Sequence, residues 1–273
     1  MTLSRALINA GEAAKVRADV ASTREWTERA IEIGLRIGNP AWVVFGFGNL
    51  ADACRILGEW PEAHKALERA SSFVAETAPL SASNIFLSTG RLALCEGEWE
   101  GAERAFEEAL AIAEAANDRQ LTEAAHSYLA ELDILRGSPD VALRRLRPLQ
   151  ATDEASLGVM LPTLAWAELE AGDIGGAEET ARRAVKRTRG AEPIYLIDAL
   201  RIQGAVFNRQ GRHSDAERVL QEGLAMARSV PFPYAEARML EELGDRKGAH
   251  AIFRRLGARK DAERTAPVAT ERQ

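Results

Sequence analysis

The chain is expected to fold as an all-α solenoid of about seven stacked helix hairpins, and three features point there. Six glycines each precede an alanine by five residues: Gly58/Ala63, Gly97/Ala102, Gly137/Ala142, Gly172/Ala177, Gly211/Ala216 and Gly244/Ala249. Successive glycines stand 39, 40, 35, 39 and 33 residues apart, and self-similarity at such a period marks a stacked array. The composition, 46% hydrophobic but only 6% aromatic, suits helices that approach closely through small side chains. One hairpin cannot bury its apolar face alone, so neighbours complete each other's core.

The units fall near 4–39, 40–79, 80–120, 121–155, 156–191, 192–230 and 231–264, with a polar tail expected to be disordered at 265–273. The first carries Gly11 and Ala30 in register but Ala18 where the turn glycine belongs. The second reads Leu50-Ala51, Cys54, Gly58-Glu59-Trp60, Ala63, Leu67, Ala70. The third reads Thr89-Gly90, Ala93, Gly97-Glu98-Trp99, Ala102, Phe106, Ala109-Leu110. The fourth to sixth repeat the beat at Ala130/Gly137/Ala142/Leu146, Ala165/Gly172/Ala177/Ala184 and Gly204/Gly211/Ala216/Leu220. The seventh, Gly244/Ala249/Phe253, has a first helix compressed between Pro233 and Gly244. Each turn glycine can take the left-handed conformation that closes a helix.

This register resembles the tetratricopeptide repeat. In that family a small residue stands at position 8 of helix A, glycine at 15 and an aromatic at 17. Helix B has alanine at 20, a large apolar residue at 24 and alanine at 27. The resemblance implies a right-handed α-α superhelix, with the extra residues of the long period placed in helix B and its loop, as at Ile112–Arg119. It also implies an inner groove lined by helix A positions 2, 5, 6, 9, 12 and 13. Those positions supply Phe45, Asn49, Asp52 and Arg55, then Asn84, Ser88 and Arg91, then Tyr128 and Glu131, then Trp166, Arg201 and Asn208. Polar groups mixed with Tyr and Trp suit recognition of a peptide or small ligand. An exposed Trp166 would be costly without a partner; packing against the next repeat is the competing account. The carboxylate clamp of chaperone-binding relatives is not matched, because Ile8 and Glu12 stand in its first two slots.

Composition narrows the partners. A net charge of −6 argues against direct nucleic-acid binding, which needs a basic footprint. Residues 244–264 run against that balance with seven Lys/Arg and three acids; they could dock an acidic surface or simply finish the last helix. The run Arg182-Arg183, Lys186-Arg187, Arg189 closes a helix that opens with Glu178 and Glu179, as the macrodipole favours. No stretch has the length and apolarity of a signal peptide or a membrane span. Cys54 and Cys95 make neither a disulfide framework nor a zinc site, so a cytoplasmic location is expected.

Catalysis and cofactors are not expected. Gly46-Phe47-Gly48-Asn49-Leu50-Ala51 matches a dinucleotide fingerprint, but that motif needs a βαβ unit, and the register puts these residues mid-helix. The four histidines, His64, His126, His213 and His250, lack metal-ligand spacing. No nucleophile elbow, zincin or P-loop pattern occurs.

Segments such as Arg36-Ile37-Gly38-Asn39-Pro40, Ala115-Ala116-Asn117-Asp118 and Arg255–Arg264 are similar to the C-terminal arrays of large bacterial signalling ATPases. These include MalT-like LuxR regulators and ATPase-linked nucleotide cyclases. The expected function is a non-catalytic protein- or peptide-interaction scaffold in bacterial signalling or transcriptional regulation. The alternative is a sensory module that binds a small effector in the groove to control an output domain elsewhere. An open groove favours the first, a closed pocket near Trp166 and Tyr128 the second.

Overall fold

Glycine punctuation becomes backbone geometry at every predicted turn. The structure is a computed structural model that describes residues 3–17, 19–77, 79–151, 157–190 and 192–267. In it Gly58, Gly97, Gly137, Gly172, Gly211 and Gly244 all have φ between +75° and +89°. The following amide then bonds back across the turn, as Glu59 N–H does to the Cys54 carbonyl at 2.8 Å. This left-handed cap satisfies carbonyls that the helix end leaves free. The alanine five residues on is at most 1% exposed in all six cases.

The described residues contain helices and no strand. The hairpins are α1 (Leu3–Val16) with α2 (Val20–Arg36), α3 (Pro40–Leu57) with α4 (Trp60–Val74), and α5 (Pro79–Glu96) with α6 (Trp99–Ala115). Next come α7 (Arg119–Leu135) with α8 (Pro139–Leu146), then α9 (Leu157–Glu170) with α10 (Ile174–Thr188). The last are α11 (Pro193–Arg209) with α12 (His213–Ser229), and α13 (Pro233–Glu242) with α14 (Arg246–Leu256), followed by α15 (Arg259–Thr265). Starts are marked locally: Asn39 and Asp118 cap α3 and α7 by accepting from the amides of Trp42 and Leu121. Pro148 limits α8, because proline cannot continue its hydrogen bonding, and a 3-10 turn over Arg147–Ala151 takes over.

Three expectations are refined. The added length is not confined to the second helices: α3 and α5 each span 18 residues, against 15 for α4. Gly46 and Gly48 lie inside α3; a Cβ on Gly46 would meet Ile31 Cγ1 at 2.5 Å, so that glycine serves helix contact. The tail expected from 265 starts later, since Thr265 ends α15 and is buried; residues 268–273 lie outside the described residues.

Small residues in the first helices answer large ones in the second. A Cβ on Gly90 would stand 2.4 Å from the Phe106 ring, and one on Gly204 equally close to Leu220. Phe106 is fully buried because Gly90 leaves it that space.

The array does not stay open. The seventh hairpin and α15 lie back over the turns of the second and third hairpins. A Cβ on Gly58 would meet Leu256 and Pro233 at 2.7 and 2.8 Å, and one on Gly97 would meet Lys260 at 2.8 Å. Trp60, Tyr234 and Phe253 form an aromatic row with centroid separations of 6.2 and 5.7 Å. Arg259 pairs with Glu98, and Lys260 sits over the Trp99 ring. The basic C-terminal segment thus docks within its own chain.

Gly58→Ala and Gly137→Ala separate closure from turn geometry. Both incur about 1–2 kcal/mol for a left-handed non-glycine residue. Gly137 has nothing within 4 Å, so only Gly58→Ala should lose about 1–3 kcal/mol more by overpacking. Urea denaturation measures the difference; equal losses would mean that closure does not constrain the turn.

Candidate functional site

Closing the array makes a funnel from what would be an open concave surface. Its mouth is a groove of about 600 Å³ between the N-terminal halves of the first helices. Helix α1 contributes Ile8 and Asn9, α3 Phe45, Gly48, Asn49 and Asp52, and α5 Leu80, Asn84, Ser88 and Arg91. The far wall is Gln120 and Tyr128 of α7, Gly158 and Val159 of α9, and Glu192 and Tyr195 of α11. Beside it lies a cavity of about 90 Å³, lined by the C-terminal halves of α3, α5 and α7 and the N-terminal parts of α9 and α11, and bordered by α13. Arg55, Cys95 and Glu131 face it from one side, Phe232, Tyr234 and Arg238 from the other. Arg91, Tyr128, Gly158, Val159 and Tyr195 line both spaces. Pro162 in this wall lacks an N–H, so the Gly158 carbonyl loses its intrahelical partner there.

The neck between the two spaces is ionic. Asp52, Arg91, Glu131, Trp166 and Arg238 share one register position on successive first helices, the ninth, where Ala205 stands in α11. Arg91 Nη1 donates to both Asp52 oxygens at 3.0 and 2.9 Å, and its guanidinium lies 5.2 Å from the Tyr128 ring centroid. Burial works against the Arg91 charge, but Asp52 outweighs it and raises the Arg91 pKa. Arg238 is treated likewise by Asp198 and Glu131, the latter at 3.0 Å across the ring. Desolvation pushes the Asp198 carboxyl up, yet Arg238 and Arg201 together hold it below its ordinary value. Burial pushes the Cys95 thiol up to about 11.

Of the twelve residues assigned to the inner surface from the sequence, nine line these spaces: Phe45, Asn49, Asp52, Asn84, Ser88, Arg91, Tyr128, Arg55 and Glu131. Trp166, Arg201 and Asn208 do not. Arg201 and Arg238 lie 4.7 and 5.1 Å from the Trp166 ring centroid. Arg201 is 5% exposed and bound to Asp198 and Glu242; Asn208 donates to the Glu242 carbonyl at 3.2 Å. The seventh hairpin therefore occupies the inner face that these three present, and Trp166 is a packing residue covered by arginines. Asp198, Tyr234 and Arg238, absent from the assignment, occupy positions 2, 5 and 9 of their helices, so the same register contained their signal. Tyr195 and Glu192 precede position 1 and carried none.

Other charged features are held within the chain. Arg182 pairs with Glu179, Arg187 with Glu192 and Arg189 with Glu222. Among the described residues no three His, Cys, Asp or Glu side chains converge as a metal site requires, and no helix is long and apolar enough to cross a membrane.

Residues 87–120, the third repeat, match the family model described as tetratricopeptide repeat. No curated protein gives a significant sequence match. Solved structures share the fold at low identity. NprR in complex with its cognate peptide NprX is similar at a TM-score of 0.64 and 12% identity, over 87% of this chain and 71% of that one. A Rap protein complexed with competence and sporulation factor is similar at 0.61 and 12%, over 95% and 77%. The apo quorum sensor NprR from B. thuringiensis is similar at 0.58 and 11%, over 96% and 85%.

Asp52→Ala would leave Arg91 and Arg55 without their nearest buried counter-charge, an expected loss of about 3–5 kcal/mol. Asp52→Leu combined with Arg91→Met should lose less than Asp52→Ala alone. A single-variant loss below about 1 kcal/mol in urea denaturation would show that the pair is solvated. Iodoacetamide at pH 8 should leave Cys95 unlabelled in the folded protein and label it after denaturation, because the thiolate is the reactive form. Intact mass reads the outcome, and rapid native labelling would mean that burial does not hold the Cys95 thiol protonated.

Proposed function

We propose that this protein is a non-catalytic receptor for an extended peptide or protein segment, bound in the groove formed by the first helices of hairpins one to six. The observation that carries this reading is the groove itself: about 600 Å³, lined by residues from six successive first helices. Asn9, Asn49, Asn84 and Gln120 line it, and a side-chain amide offers one acceptor and two donors, the complement of a peptide unit. Phe45, Leu80, Tyr128 and Tyr195 add apolar surface for side chains. Support also comes from a solved structure of this fold that holds a peptide partner, NprR with its cognate peptide NprX.

The small-effector alternative is less well supported. The smaller cavity, at about 90 Å³, falls short of the ~300–1,000 Å³ of ordinary small-molecule sites, and Trp166 is in the wall of neither space; the groove has the volume for an effector, but its row of side-chain amides matches a peptide backbone better. A regulatory role in a bacterial signalling system follows from two resemblances. One is to the quorum sensor NprR in fold; the other is to the arrays of signalling ATPases in the short interhelical segments. On this reading a peptide in the groove bridges hairpins one to six, and the output belongs to whatever this array contacts.

Affinity selection from a random heptapeptide pool tests the proposal. The wild type should retain a defined subset of peptides, and Asn49→Ala/Asn84→Ala should reduce its retention about tenfold, since each lost hydrogen bond is worth about 0.5–1.5 kcal/mol. Retention of no peptide, or equal retention by the double variant, would overturn it. A metabolite that raises the melting temperature where no peptide does would favour the effector reading.

A further inference from the structure

We infer that the smaller cavity is a carboxylate-recognition subsite, with Arg55 as the anchor for an anionic group delivered by the groove-bound peptide. This inference rests on the peptide reading above and specifies which chemistry the funnel takes at its narrow end.

Arg55 stands out among the buried arginines. It is 5% exposed, and its Nε and Nη2 are buried with no hydrogen-bond partner among the described residues. Its nearest charge is Asp52, whose Oδ1 lies 3.5 Å from Nε, and that carboxylate is already bidentate on Arg91. The Phe232 ring, 5.8 Å from the guanidinium, covers one face of it and supplies no acceptor. A buried guanidinium with unmet donors is costly.

The acids around it are engaged elsewhere. Glu131 and Asp198 line the same cavity, but both face Arg238, at 3.0 and 3.8 Å, and Asp198 also holds Arg201 at 3.1 Å. Arg91 and Arg238 are each matched by a carboxylate at 3.0 Å or less, whereas Arg55 has only the shared Asp52 at 3.5 Å, so the unmet hydrogen-bonding capacity of the wall lies at Arg55. The guanidinium fork matches a carboxylate in a bidentate arrangement. The volume of about 90 Å³ equals about three water molecules at liquid density, enough for a carboxylate and too small for a ring system. Access is from the groove, because five residues line both spaces and form one continuous wall. A segment lying in the groove can send either its terminal carboxylate or an Asp or Glu side chain past Arg91 and Tyr128 to Arg55.

Four pools of N-acetylated random heptapeptides separate the sources: free acids or C-terminal amides, each with or without Asp and Glu. Affinity selection on the whole chain should retain at least one carboxylate-bearing pool about tenfold or more over the carboxylate-free pool, as charged hydrogen bonds of about 1.5–3 kcal/mol imply. The better pool identifies the source. Arg55→Met should abolish that preference while leaving the unliganded melting temperature equal or higher, because it removes a buried guanidinium with unmet donors and leaves Asp52 on Arg91. Arg55→Lys, which keeps the charge but not the fork, should lower the preference. Equal retention of carboxylate-free and carboxylate-bearing pools would overturn the subsite while leaving the groove reading intact. No retention of any pool would overturn both. A preference that survives in Arg55→Met, or a marked drop in melting temperature in both variants, would make Arg55 a structural residue and end the proposal.

Discussion

The interior of this molecule depends on one contact, the return of the seventh hairpin onto the turns of the second and third. An array of hairpins has two faces and two ends, and nothing within a single repeat decides whether the ends meet. Here Leu256 and Pro233 fill the space beside Gly58, Lys260 that beside Gly97, and Tyr234 packs between Trp60 and Phe253. Each aromatic buried this way contributes about 1.5–3 kcal/mol. The consequence is geometric: the concave surface becomes a funnel, wide at the groove and narrowed where α13 borders the smaller cavity.

Closure also explains the charges inside. Asp52, Arg91, Glu131 and Arg238 recur at one register position, and in an open superhelix they would face solvent. Brought together around a narrow axis they lose water, and opposite charges are then required as neighbours. The pairing runs along the array between hairpins two and three and across it between four and seven. Trp166 and Ala205 occupy the same position where Arg238 needs a surface to lie on and room to reach Glu131. A buried ionic set of this kind adds little net stability over apolar packing, but it tolerates few alternative arrangements. That fits a cavity whose function depends on where one guanidinium points.

Much of this was legible in the residues. The glycine–alanine beat located the turns of hairpins two to seven and the packed alanine after each, because both requirements are local: a left-handed backbone and a missing side chain; Ala18 of the first hairpin lies outside the described residues. The register assigned nine of the lining residues, and it also contains Asp198 in the sixth hairpin and Tyr234 and Arg238 in the seventh. It misplaced Trp166, Arg201 and Asn208 because it treats every repeat's inner face as equally free. Those three lie on the faces that the seventh hairpin covers. Tyr195 and Glu192 lie ahead of the periodic helix positions and so escaped a reading built on periodicity.

The residue pattern therefore determined the hairpins, their order and which side of each first helix turns inward, since those follow from spacing along the chain. It also dissolved the dinucleotide-like glycines of α3 into helix contacts. The tertiary structure alone decided that the array closes, which inner residues remain available, and that Arg55 ends up with unmet donors beside a small cavity. Those outcomes arise from residues about 100–200 positions apart, from Glu131 and Arg238 to Gly58 and Leu256. No repeat period encodes contacts at that separation, because they depend on the accumulated rotation of seven hairpins and not on any one of them.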